Sequence, residues 1–468
     1  MAQEKFDLIV VGGGPGGYVA AIRASQLGMK VALVEKDQLG GVCLNWGCIP
    51  TKALLRSADV LRLVRNAGHY GVKAAAAQAD LPAMVARSRA VAAQLNQGIA
   101  HLMKKHGIAV LRGHARLAGK GQLKVSEAGG VGRSLQAPHI ILATGARARQ
   151  LPQFPASDSA VWSYREALNP PSRPKRMLIV GAGAIGIEFA CFYQAIGVEV
   201  TVVEMAPRVL PVEDEEVSAL VAKSLQRDGI QLQLNTEIAQ ARRTAAGWQL
   251  QLQGRSAGAA PVQLEADVVL VAAGIVGNVE DLGLENTRVQ VEKTHVVTDA
   301  HCRTAEPGVY AIGDLAGPPW LAHKASHEGV LCVEHIAGLP GHPLDPLRIP
   351  ACTYSHPQVA SVGMTEAQAQ AAGKSVKVGK FPFAANGKAI AMGETAGFTK
   401  VVFDAGSGEL LGAHMVGDEV TEMIQGFGIA QTLEATEADL MATIVAHPTM
   451  SESMHEAVLA AYGRALHL

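Results

Sequence analysis

The chain carries one strand–turn–helix pattern twice, and this duplication restricts its possible folds more than any other feature. Residues 6–11 form an apolar run, a glycine-rich turn follows at residues 12–17, and an apolar helix is predicted up to about residue 27. Residues 176–196 repeat the same succession. A buried strand that turns directly into a helix is typical of doubly wound parallel sheets, whose strands are covered on both faces. The sequence therefore predicts two similar α/β domains.

Each glycine-rich turn has the spacing G-x-G-x-x-G, and an acidic residue ends the strand that follows it. The spacing alone often marks only a tight turn, but here each copy follows a strand and opens a helix. The glycines let a pyrophosphate approach the backbone, the helix N-terminus carries positive partial charge, and the acid accepts hydrogen bonds from ribose hydroxyls. Two dinucleotide sites are therefore predicted, built from Gly12, Gly14, Gly17 and Glu35 in the first copy and Gly181, Gly183, Gly186 and Glu204 in the second.

Other segments also occur in pairs and help to place the domain limits. Residues 139–145 and 267–274 are both short apolar strands that end in small residues, as expected where a strand completes a nucleotide-binding half. Proline-rich stretches at residues 169–174 and 340–350 mark boundaries. We predict an α/β protein with two Rossmann-like dinucleotide-binding domains and an α+β C-terminal domain. The predicted limits are residues 1–150, 151–275, 276–346 for a central region that completes the first site, and 347–468.

Composition and cysteine usage exclude several functional classes. The chain has 41 Lys and Arg against 42 Asp and Glu and no basic stripe, so nucleic acid is not an expected partner. The apolar stretch 177–198 contains Glu188 and glycines, which favours a strand, a turn and a helix over a membrane span. Four cysteines are scattered singly along the chain: Cys191, Cys302, Cys332 and Cys352. With no signal-peptide pattern at the N-terminus, we expect a reducing, cytoplasmic compartment.

The remaining cysteines, Cys43 and Cys48, lie close together between glycines. Two thiols at this spacing can cycle between dithiol and disulfide, and the glycines allow the backbone bend of so small a loop. Pro50 is predicted at the first position of a helix, and a thiol beside a helix N-terminus favours the reactive thiolate. A structural disulfide, two core cysteines and half of a zinc site are the alternatives. Zinc is disfavoured because no second ligand pair of matching spacing follows, so no metal site is predicted.

The thiol pair, the two dinucleotide units and the run His-Pro-Thr-Met-Ser-Glu at residues 447–452 together resemble the two-dinucleotide flavoprotein disulfide reductases. The resemblance covers essentially the whole chain. It implies FAD in the first dinucleotide domain, NAD in the second, and a C-terminal domain that forms a homodimer. Glu204 agrees with NAD, because a carboxylate at that place binds a free ribose 2′-hydroxyl and repels a 2′-phosphate. Arg208 lies nearby, but we expect Glu204 to dominate.

The resemblance also implies roles for individual residues. Cys48 is expected beside the flavin, and Cys43 is expected farther out, where it exchanges with the substrate. His447 is the expected base, oriented by Glu452 and reaching the cysteines from the other subunit. His356, in the second His-Pro pair, is expected to be structural. Further residues are expected at the cofactors: Lys52 near flavin N5 with Glu188 as its ion-pair partner, Thr144, Gly145, Gly274, Gly313, Asp314 and Ala322.

Within this family, the chain is most similar to the members that reoxidise protein-bound dihydrolipoamide and reduce NAD. The expected partner is a separate lipoyl-bearing protein, the E2 of a 2-oxo acid dehydrogenase complex or the lipoyl protein of glycine cleavage. Glutathione-type and mercuric reductases are alternatives, but a mercuric reductase needs a C-terminal cysteine pair and the last cysteine here is Cys352. A mainly structural subunit of such a complex is disfavoured by the intact thiol pair, base and nucleotide motifs.

Overall fold

The computed structural model describes residues 4–126, 132–256, 258 and 260–468. The described chain divides into two compact units. Unit 1 comprises the described parts of Met1–Leu54, Pro82–Arg149 and Gly274–Leu344, and unit 2 those of Leu55–Leu81, Gln150–Ala273 and Asp345–Leu468. Most of the predicted first domain and the predicted central region thus fall in unit 1. The predicted second and C-terminal domains fall in unit 2.

The first part of the described chain alternates strands and helices. Up to residue 149 its elements are β1 (Glu4–Lys5), β2 (Leu8–Val11), α1 (Pro15–Gln26), β3 (Val31–Glu35), α2 (Gly41–Trp46), α3 (Cys48–Arg65), α4 (Leu81–Lys105), β4 (Ala109–Arg112), β5 (His114–Leu117), β6 (Gln122–Ser126), β7 (Arg133–Gln136), β8 (His139–Leu142) and β9 (Ala146–Ala148). From residue 150 to 273 they are β10 (Val161–Trp162), α5 (Tyr164–Leu168), β11 (Arg176–Val180), α6 (Ala184–Ala195), β12 (Glu199–Val203), α7 (Glu215–Arg227), β13 (Gln231–Gln233), β14 (Thr236–Thr244), β15 (Gly247–Gly254), β16 (Val262–Ala266) and β17 (Val268–Val271).

The second part returns to unit 1 and then completes unit 2. Residues 274–344 contain β18 (Ile275–Gly277), β19 (Val291–Glu292), β20 (His295–Val296), β21 (Val309–Ala311) and α8 (Ala322–Ile336). Residues 345–468 contain β22 (Ala351–Thr353), β23 (Gln358–Gly363), α9 (Glu366–Ala371), β24 (Val376–Pro382), α10 (Gly387–Met392), β25 (Phe398–Asp404), β26 (Leu410–Gly417), α11 (Val420–Thr432), α12 (Glu437–Ala442) and α13 (Glu452–Ala460).

The main sheet of unit 1 is parallel, with the strand order β21–β8–β2–β3–β4. Strand β2 is buried along its whole length because both faces of the sheet are covered. Leu8 and Val10 pack with residues of α1 and α4, whereas Ile9 and Val11 pack with the smaller sheet β1–β7–β6–β5 on the opposite face. The continuous apolar run in the sequence thus supplies two separate hydrophobic cores.

Unit 2 contains a second parallel sheet with the order β10–β17–β11–β12–β13, which matches the first sheet position by position. The predicted paired segments are confirmed, since β8 and β17 each lie beside the first strand of a glycine-rich motif. The stretch 177–198 splits into β11 and α6, as predicted. Across the described residues, no helix is long and apolar enough to cross a membrane. An antiparallel sheet, β14–β15–β16, was not predicted and packs Trp248 and Leu250 against Leu178.

The C-terminal part of unit 2 is an antiparallel sheet of order β22–β23–β26–β25–β24 with helices packed on it. Strand β25 and helices α11 and α13 give this part the mixture of strands and helices expected of the predicted α+β domain. Phe381, Phe403 and Phe427 lie in its core. The fold class predicted from the sequence is therefore confirmed.

Candidate active site and nucleotide cradles

The first glycine-rich turn joins β2 to α1 and can be made only by glycine at two of its positions. Gly12 has a φ of +107°, and a Cβ there would lie 2.2 Å from the Ala143 oxygen. A Cβ on Gly17 would lie 1.9 Å from the Gly12 oxygen. Gly14 ends the turn at the N-cap of α1 and has no side chain to cover the first N–H groups of the helix. An anionic group can therefore approach these donors directly.

Glu35 ends β3 beside this turn, and its carboxylate is fixed by the backbone. Its Oε2 accepts a hydrogen bond of 2.6 Å from Gly13 N, and its Oε1 accepts one of 2.7 Å from Asp37 N. A cavity of about 390 Å³ opens at this end of the sheet and is lined by Glu35, Asp37, Leu39 and Met103 among others. A volume of that size suits a small-molecule moiety. The turn and the Glu35 carboxylate together fit the adenosine diphosphate half of FAD.

The second glycine-rich turn, between β11 and α6, repeats this geometry. Gly181 has a φ of +108°, and a Cβ on Gly186 would lie 2.0 Å from the Gly181 oxygen. Glu204 Oε2 accepts a hydrogen bond of 2.7 Å from Ala182 N, and its Oε1 accepts one from Ala206 N. At Gly183, by contrast, a Cβ would meet no atom of the described residues within 4 Å. This open place beside the helix N-terminus fits a second dinucleotide.

Arg208, the cation considered near the second site, is engaged by its own neighbours. Its guanidinium pairs with Glu215 and also donates to the Pro211 oxygen. Glu204 in contrast faces the turn with both oxygens held by backbone N–H groups. The acid is therefore the group placed to contact a ribose, and a free 2′-hydroxyl suits it better than a phosphate.

The cysteine segment is seated directly on the first turn. Gly40 and Gly41 have φ angles of +89° and +57°, and Gly40 N donates a hydrogen bond of 2.7 Å to the Gly13 oxygen. A Cβ on Gly41 would lie 2.7 Å from the Gly14 Cα, so the two backbones are in close contact. Cys43 then lies in α2. The glycines thus fix the position of the thiols relative to the first glycine-rich turn.

The predicted start of the next helix was wrong by two residues. Helix α3 begins at Cys48, after a break at Gly47 where φ is −149° and ψ is −114°. Pro50 is therefore its third residue rather than its first. The first-turn N–H groups of a helix have no partner within the helix, so a proline is accepted throughout that turn. As a result, Cys48 itself stands at the helix N-terminus, where a thiolate is stabilised.

The structure brings Cys43, Cys48, Lys52 and Asp314 together. Both cysteines are thiols here. A hydrogen bond with Cys48 and then burial raise the pKa of Cys43 well above that of an ordinary thiol, while the charge of Lys52 opposes this and that of Asp314 adds to it. Since these surroundings favour the protonated form of Cys43, exchange with a substrate requires a separate base.

Gly313 and Asp314 follow β21 and are held by the start of α8, whose first residue is Ala322. Gly313 has a φ of +71°, and its N–H donates a hydrogen bond of 2.7 Å to Glu328 Oε2. Lys324 Nζ pairs with Glu328 Oε1 at 2.8 Å and donates to the Gly313 and Gly317 oxygens. Burial raises the pKa of Asp314, and the charge of Lys324 limits the rise. Glu328 was missed from the sequence, although its i,i+4 spacing from Lys324 is a recognisable helical pair.

Thr144 and Gly145 lie at the end of β8, on the same side as the first turn. Thr144 Oγ1 donates a hydrogen bond of 2.8 Å to the Asn278 oxygen, and Asn278 Nδ2 donates to the Thr144 oxygen at 2.8 Å. Gly145 and Gly274 have φ angles of +68° and +97°. Asn278 is a positioning residue that no local pattern indicates, because its partner is distant in sequence.

His447 and Glu452 form a pair in unit 2. Nδ1 of His447 lies 2.8 Å from Glu452 Oε1, and Thr449 N donates a hydrogen bond of 2.8 Å to Oε2. Burial raises the pKa of Glu452, but these two hydrogen bonds outweigh it and hold the pKa below its usual range. Because the carboxylate engages Nδ1, the exposed ring can exchange a proton through Nε2.

Glu188 and His356 make contacts between the second parallel-sheet region of unit 2 and its C-terminal part. Glu188 is buried in α6, and its Oε1 accepts a hydrogen bond of 2.9 Å from Tyr354 N. The predicted ion pair between Glu188 and Lys52 stays a prediction. His356 N–H donates to the Cys191 sulfur at 3.4 Å, and its Nδ1 lies 3.5 Å from an Asp228 carboxylate oxygen.

Comparison with known proteins places these sites in a class. The family model of pyridine nucleotide-disulphide oxidoreductases matches residues 6–329, and the model of that family's dimerisation domain matches residues 349–458. The chain therefore belongs to the pyridine nucleotide-disulphide oxidoreductase family, and its dimerisation domain indicates a homodimer. The cofactors of these enzymes are FAD and NAD, and the two glycine-rich turns, with Glu35 and Glu204, fit them.

The curated relatives are dihydrolipoyl dehydrogenases. The chain is 52% identical to the Zymomonas mobilis enzyme of that name, with 99% of each chain covered. It is 44% identical to the Bacillus subtilis enzyme over the full length of both. Among solved structures, LpdA from Mycobacterium tuberculosis superposes with a TM-score of 0.90 at 27% identity, covering 97% of this chain and 99% of that one. The predicted similarity within the family is thereby confirmed.

Proposed function

We propose that this chain oxidises protein-bound dihydrolipoamide to lipoamide and reduces NAD, as a dihydrolipoyl dehydrogenase does. The observation that carries the proposal is the seating of Cys43 and Cys48 on the first nucleotide turn, with Lys52 and Asp314 beside them. A thiol pair that can hold two electrons therefore lies against the first glycine-rich turn. Residues 1–150 with 276–346 would hold FAD, residues 151–275 would hold NAD, and residues 347–468 would form the dimer.

The proposed exchange begins from the Cys43–Cys48 disulfide. A substrate thiolate attacks the Cys43 sulfur, so that a mixed disulfide forms and Cys48 leaves as a thiolate. The second thiolate of the substrate then attacks the substrate sulfur of the mixed disulfide. Cyclic lipoamide forms, and Cys43 leaves as a thiolate. The dithiol has lost two electrons and two protons, and the cysteine pair now holds the electrons. When bound, FAD supplies an electron acceptor beside Cys48, and NAD supplies the final acceptor of the hydride.

His447 is proposed as the base that removes the substrate protons. Its Nδ1 is held by Glu452, which orients the ring and stabilises the charged imidazolium after proton uptake. Nε2 is then the atom that receives the proton. In the homodimer this pair would serve the thiols of the other subunit, so that an isolated monomer would lack its base. Cys43 needs such a partner because its environment favours the protonated thiol.

The preference for NAD is proposed to follow from Glu204. Its carboxylate is fixed at the end of β12 by Ala182 N and Ala206 N, where it would accept hydrogen bonds from a free ribose and repel a 2′-phosphate. The lipoyl group would arrive on a separate E2 protein of a 2-oxo acid dehydrogenase complex, or on the lipoyl protein of glycine cleavage. A reducing, cytoplasmic location would keep the thiols other than the catalytic pair reduced.

Replacing Cys48 by Ser tests the proposal, with Cys352→Ser as the matched control. Cys352 is a half-buried thiol that donates to the Thr421 oxygen, a bond that serine can also make. We expect Cys48→Ser to abolish NAD reduction by dihydrolipoamide, while Cys352→Ser keeps it. Unchanged activity in Cys48→Ser would contradict the disulfide mechanism.

A substrate panel separates the proposed activity from its relatives in the same family. NAD and NADP are compared as acceptors for dihydrolipoamide, and glutathione disulfide and mercuric ion are compared as oxidants of the reduced enzyme. We expect turnover with dihydrolipoamide and NAD only. Faster turnover with glutathione disulfide and NADPH would assign the chain to the glutathione-type reductases instead.

A further inference from the structure

Unit 1 contains a second pair of neighbouring cysteines, away from the catalytic thiols. Cys302 lies in the bend that precedes β21, and Cys332 lies in α8. Cys302 Sγ is 3.9 Å from the backbone oxygen of Glu328, which is one helical turn before Cys332. A helical side chain points back toward the preceding turn, so the Cys332 sulfur is directed to the same place. The two thiols are accordingly close enough to interact.

The surroundings of this pair are apolar and differ from those of Cys43 and Cys48. Cys302 is 5% exposed and Cys332 is fully buried, and both belong to the core cluster that includes Tyr310 and Val333. Burial is the main reason that the pKa of Cys332 is raised well above that of a free thiol. The Cys332 sulfur is therefore a poor nucleophile toward a substrate, and the pair lies outside the proposed catalytic exchange.

The bend that presents Cys302 is held in one conformation. Cys302 has a φ of +64°, in the left-handed region that residues other than glycine rarely adopt. Its N–H donates a hydrogen bond of 3.0 Å to the Asp299 oxygen, and the Asp299 side chain accepts hydrogen bonds from His301 N and Arg303 N. The sulfur of Cys302 is thus kept beside α8 rather than free to turn to solvent.

We propose that Cys302 and Cys332 are a redox modification site that forms a second disulfide on exposure to hydrogen peroxide. Peroxide converts one thiol to a sulfenic acid and releases one water. The other thiol then attacks that sulfur, the S–S bond forms, and a second water leaves. In total, two thiols give two electrons and two protons to one peroxide, which becomes two waters. Cys302 is the thiol that reacts first, since it is the more exposed of the two.

The bond would close residues 302–332 into a loop. That loop contains Gly313 and Asp314, and the start of α8 with Lys324. Glu328 already links parts of this loop by hydrogen bonds. Its backbone oxygen accepts from Cys302 Sγ, and its carboxylate accepts from Gly313 N. The disulfide would therefore add a covalent link where the fold has a hydrogen-bonded one.

Peptide mapping of the purified holoenzyme tests the proposal directly. The protein is reduced, freed of reductant, treated with hydrogen peroxide, denatured with N-ethylmaleimide present, and digested with trypsin. Cys302 and Cys332 fall in separate peptides, residues 294–303 and 325–348, whereas Cys43 and Cys48 share residues 37–52. The two disulfides are thus distinguishable by mass. The peroxide dose is set as the one that fully reoxidises the pair in residues 37–52.

We expect a disulfide-linked species that joins the peptides 294–303 and 325–348. The alkylated forms of these two peptides should decrease equally, and dithiothreitol should restore both. Cys191 is the internal control, since it is equally buried and its sulfur accepts a hydrogen bond from His356 N. It should be recovered in alkylated form. In Cys302→Ala, Cys332 should also be recovered alkylated. Recovery of both wild-type peptides as thiols, oxidation to sulfinic acids, or cross-linking of Cys332 to another cysteine would overturn the proposal.

Discussion

Gly183 offers a substitution that separates cofactor binding from folding. It has a φ of −74° and a ψ of 179°, which alanine adopts without strain, and an added Cβ would meet no described atom within 4 Å. Alanine at an N-cap costs a few tenths of a kcal/mol to about 1 kcal/mol. Restricting the unfolded chain returns about 0.4–1 kcal/mol. We therefore expect Gly183→Ala to change the free energy of unfolding by less than about 1 kcal/mol.

The same methyl group stands where a pyrophosphate would approach the N-terminus of α6. Displacing the phosphate weakens a charge-assisted hydrogen bond, which is worth about 1.5–3 kcal/mol. This corresponds to a rise of about 10- to 150-fold in the KM for NAD. Steady-state kinetics with NAD as the varied substrate measure it, and the KM for dihydrolipoamide should hardly move. An unchanged KM for NAD in Gly183→Ala would refute the placement of NAD on this turn.

Gly186→Ala is the matched control for that prediction. Its Cβ would lie 2.0 Å from the Gly181 oxygen, a backbone atom that cannot rotate away. Overpacking of this kind costs about 1–3 kcal/mol, so Gly186→Ala should lower the melting temperature. Because Gly183 has open space around it and Gly186 does not, alanine should lower the melting temperature clearly at Gly186 and little at Gly183. If Gly183→Ala melts as low as Gly186→Ala, the space around Gly183 is not open.

Further predictions concern the thiol segment and the pH dependence of stability. Arg89 donates a hydrogen bond of 2.7 Å to the Asn45 oxygen and lies 4.7 Å from the centroid of the Trp46 ring, so it positions the segment between Cys43 and Cys48. Losing these contacts in Arg89→Met should cost about 1–2 kcal/mol. A loss of that size in the transition state lowers kcat about 5- to 30-fold, with the KM for NAD unchanged; an equal change in both parameters would contradict this positioning role. Burial raises the pKa of Asp267, but hydrogen bonds from Arg176 and Lys175 outweigh it and lower the pKa. A carboxyl group with a lowered pKa stabilises the fold above the unfolded-state value near 4 and loses that effect as the pH falls through the folded-state pKa. Asp267→Asn should therefore melt below the wild type at pH 7, and the difference should shrink below about pH 4; a constant difference from pH 7 to pH 3 would argue against it.

The parts of the site that the sequence predicts are those whose geometry is local. Gly12 and Gly17 are required by a positive φ and by a contact within one turn, so their spacing alone indicates the conformation. The end of β3 lies beside that turn in any parallel strand–helix–strand unit, which is why Glu35 could be named. The helix at Pro50 was misjudged because proline fits any position of a first helical turn, so it does not mark the start.

The parts that the sequence does not predict depend on residues brought together by the tertiary fold. Asn278 supports Thr144 from a distant segment, and Glu328 holds the Gly313 backbone from the next helix, α8. Neither side chain belongs to a spacing pattern that includes the backbone it supports. The same holds for Cys302 and Cys332, which are scattered singly in the sequence and become neighbours only in the fold.

The two thiol pairs show why spacing alone left the function of Cys43 and Cys48 open. The two thiols of each pair interact, and burial opposes thiolate formation at Cys43 and at Cys332. Cys43 and Cys48, however, lie on a glycine-rich nucleotide turn, with a helix N-terminus at Cys48 and the charge of Lys52 acting on Cys43. The surroundings of Cys332 are mainly apolar side chains. Since thiol exchange requires a thiolate and an accessible partner, the surroundings rather than the pairing decide which disulfide turns over with substrate. A pair in the core can then be oxidised by a small reagent and still take no part in turnover.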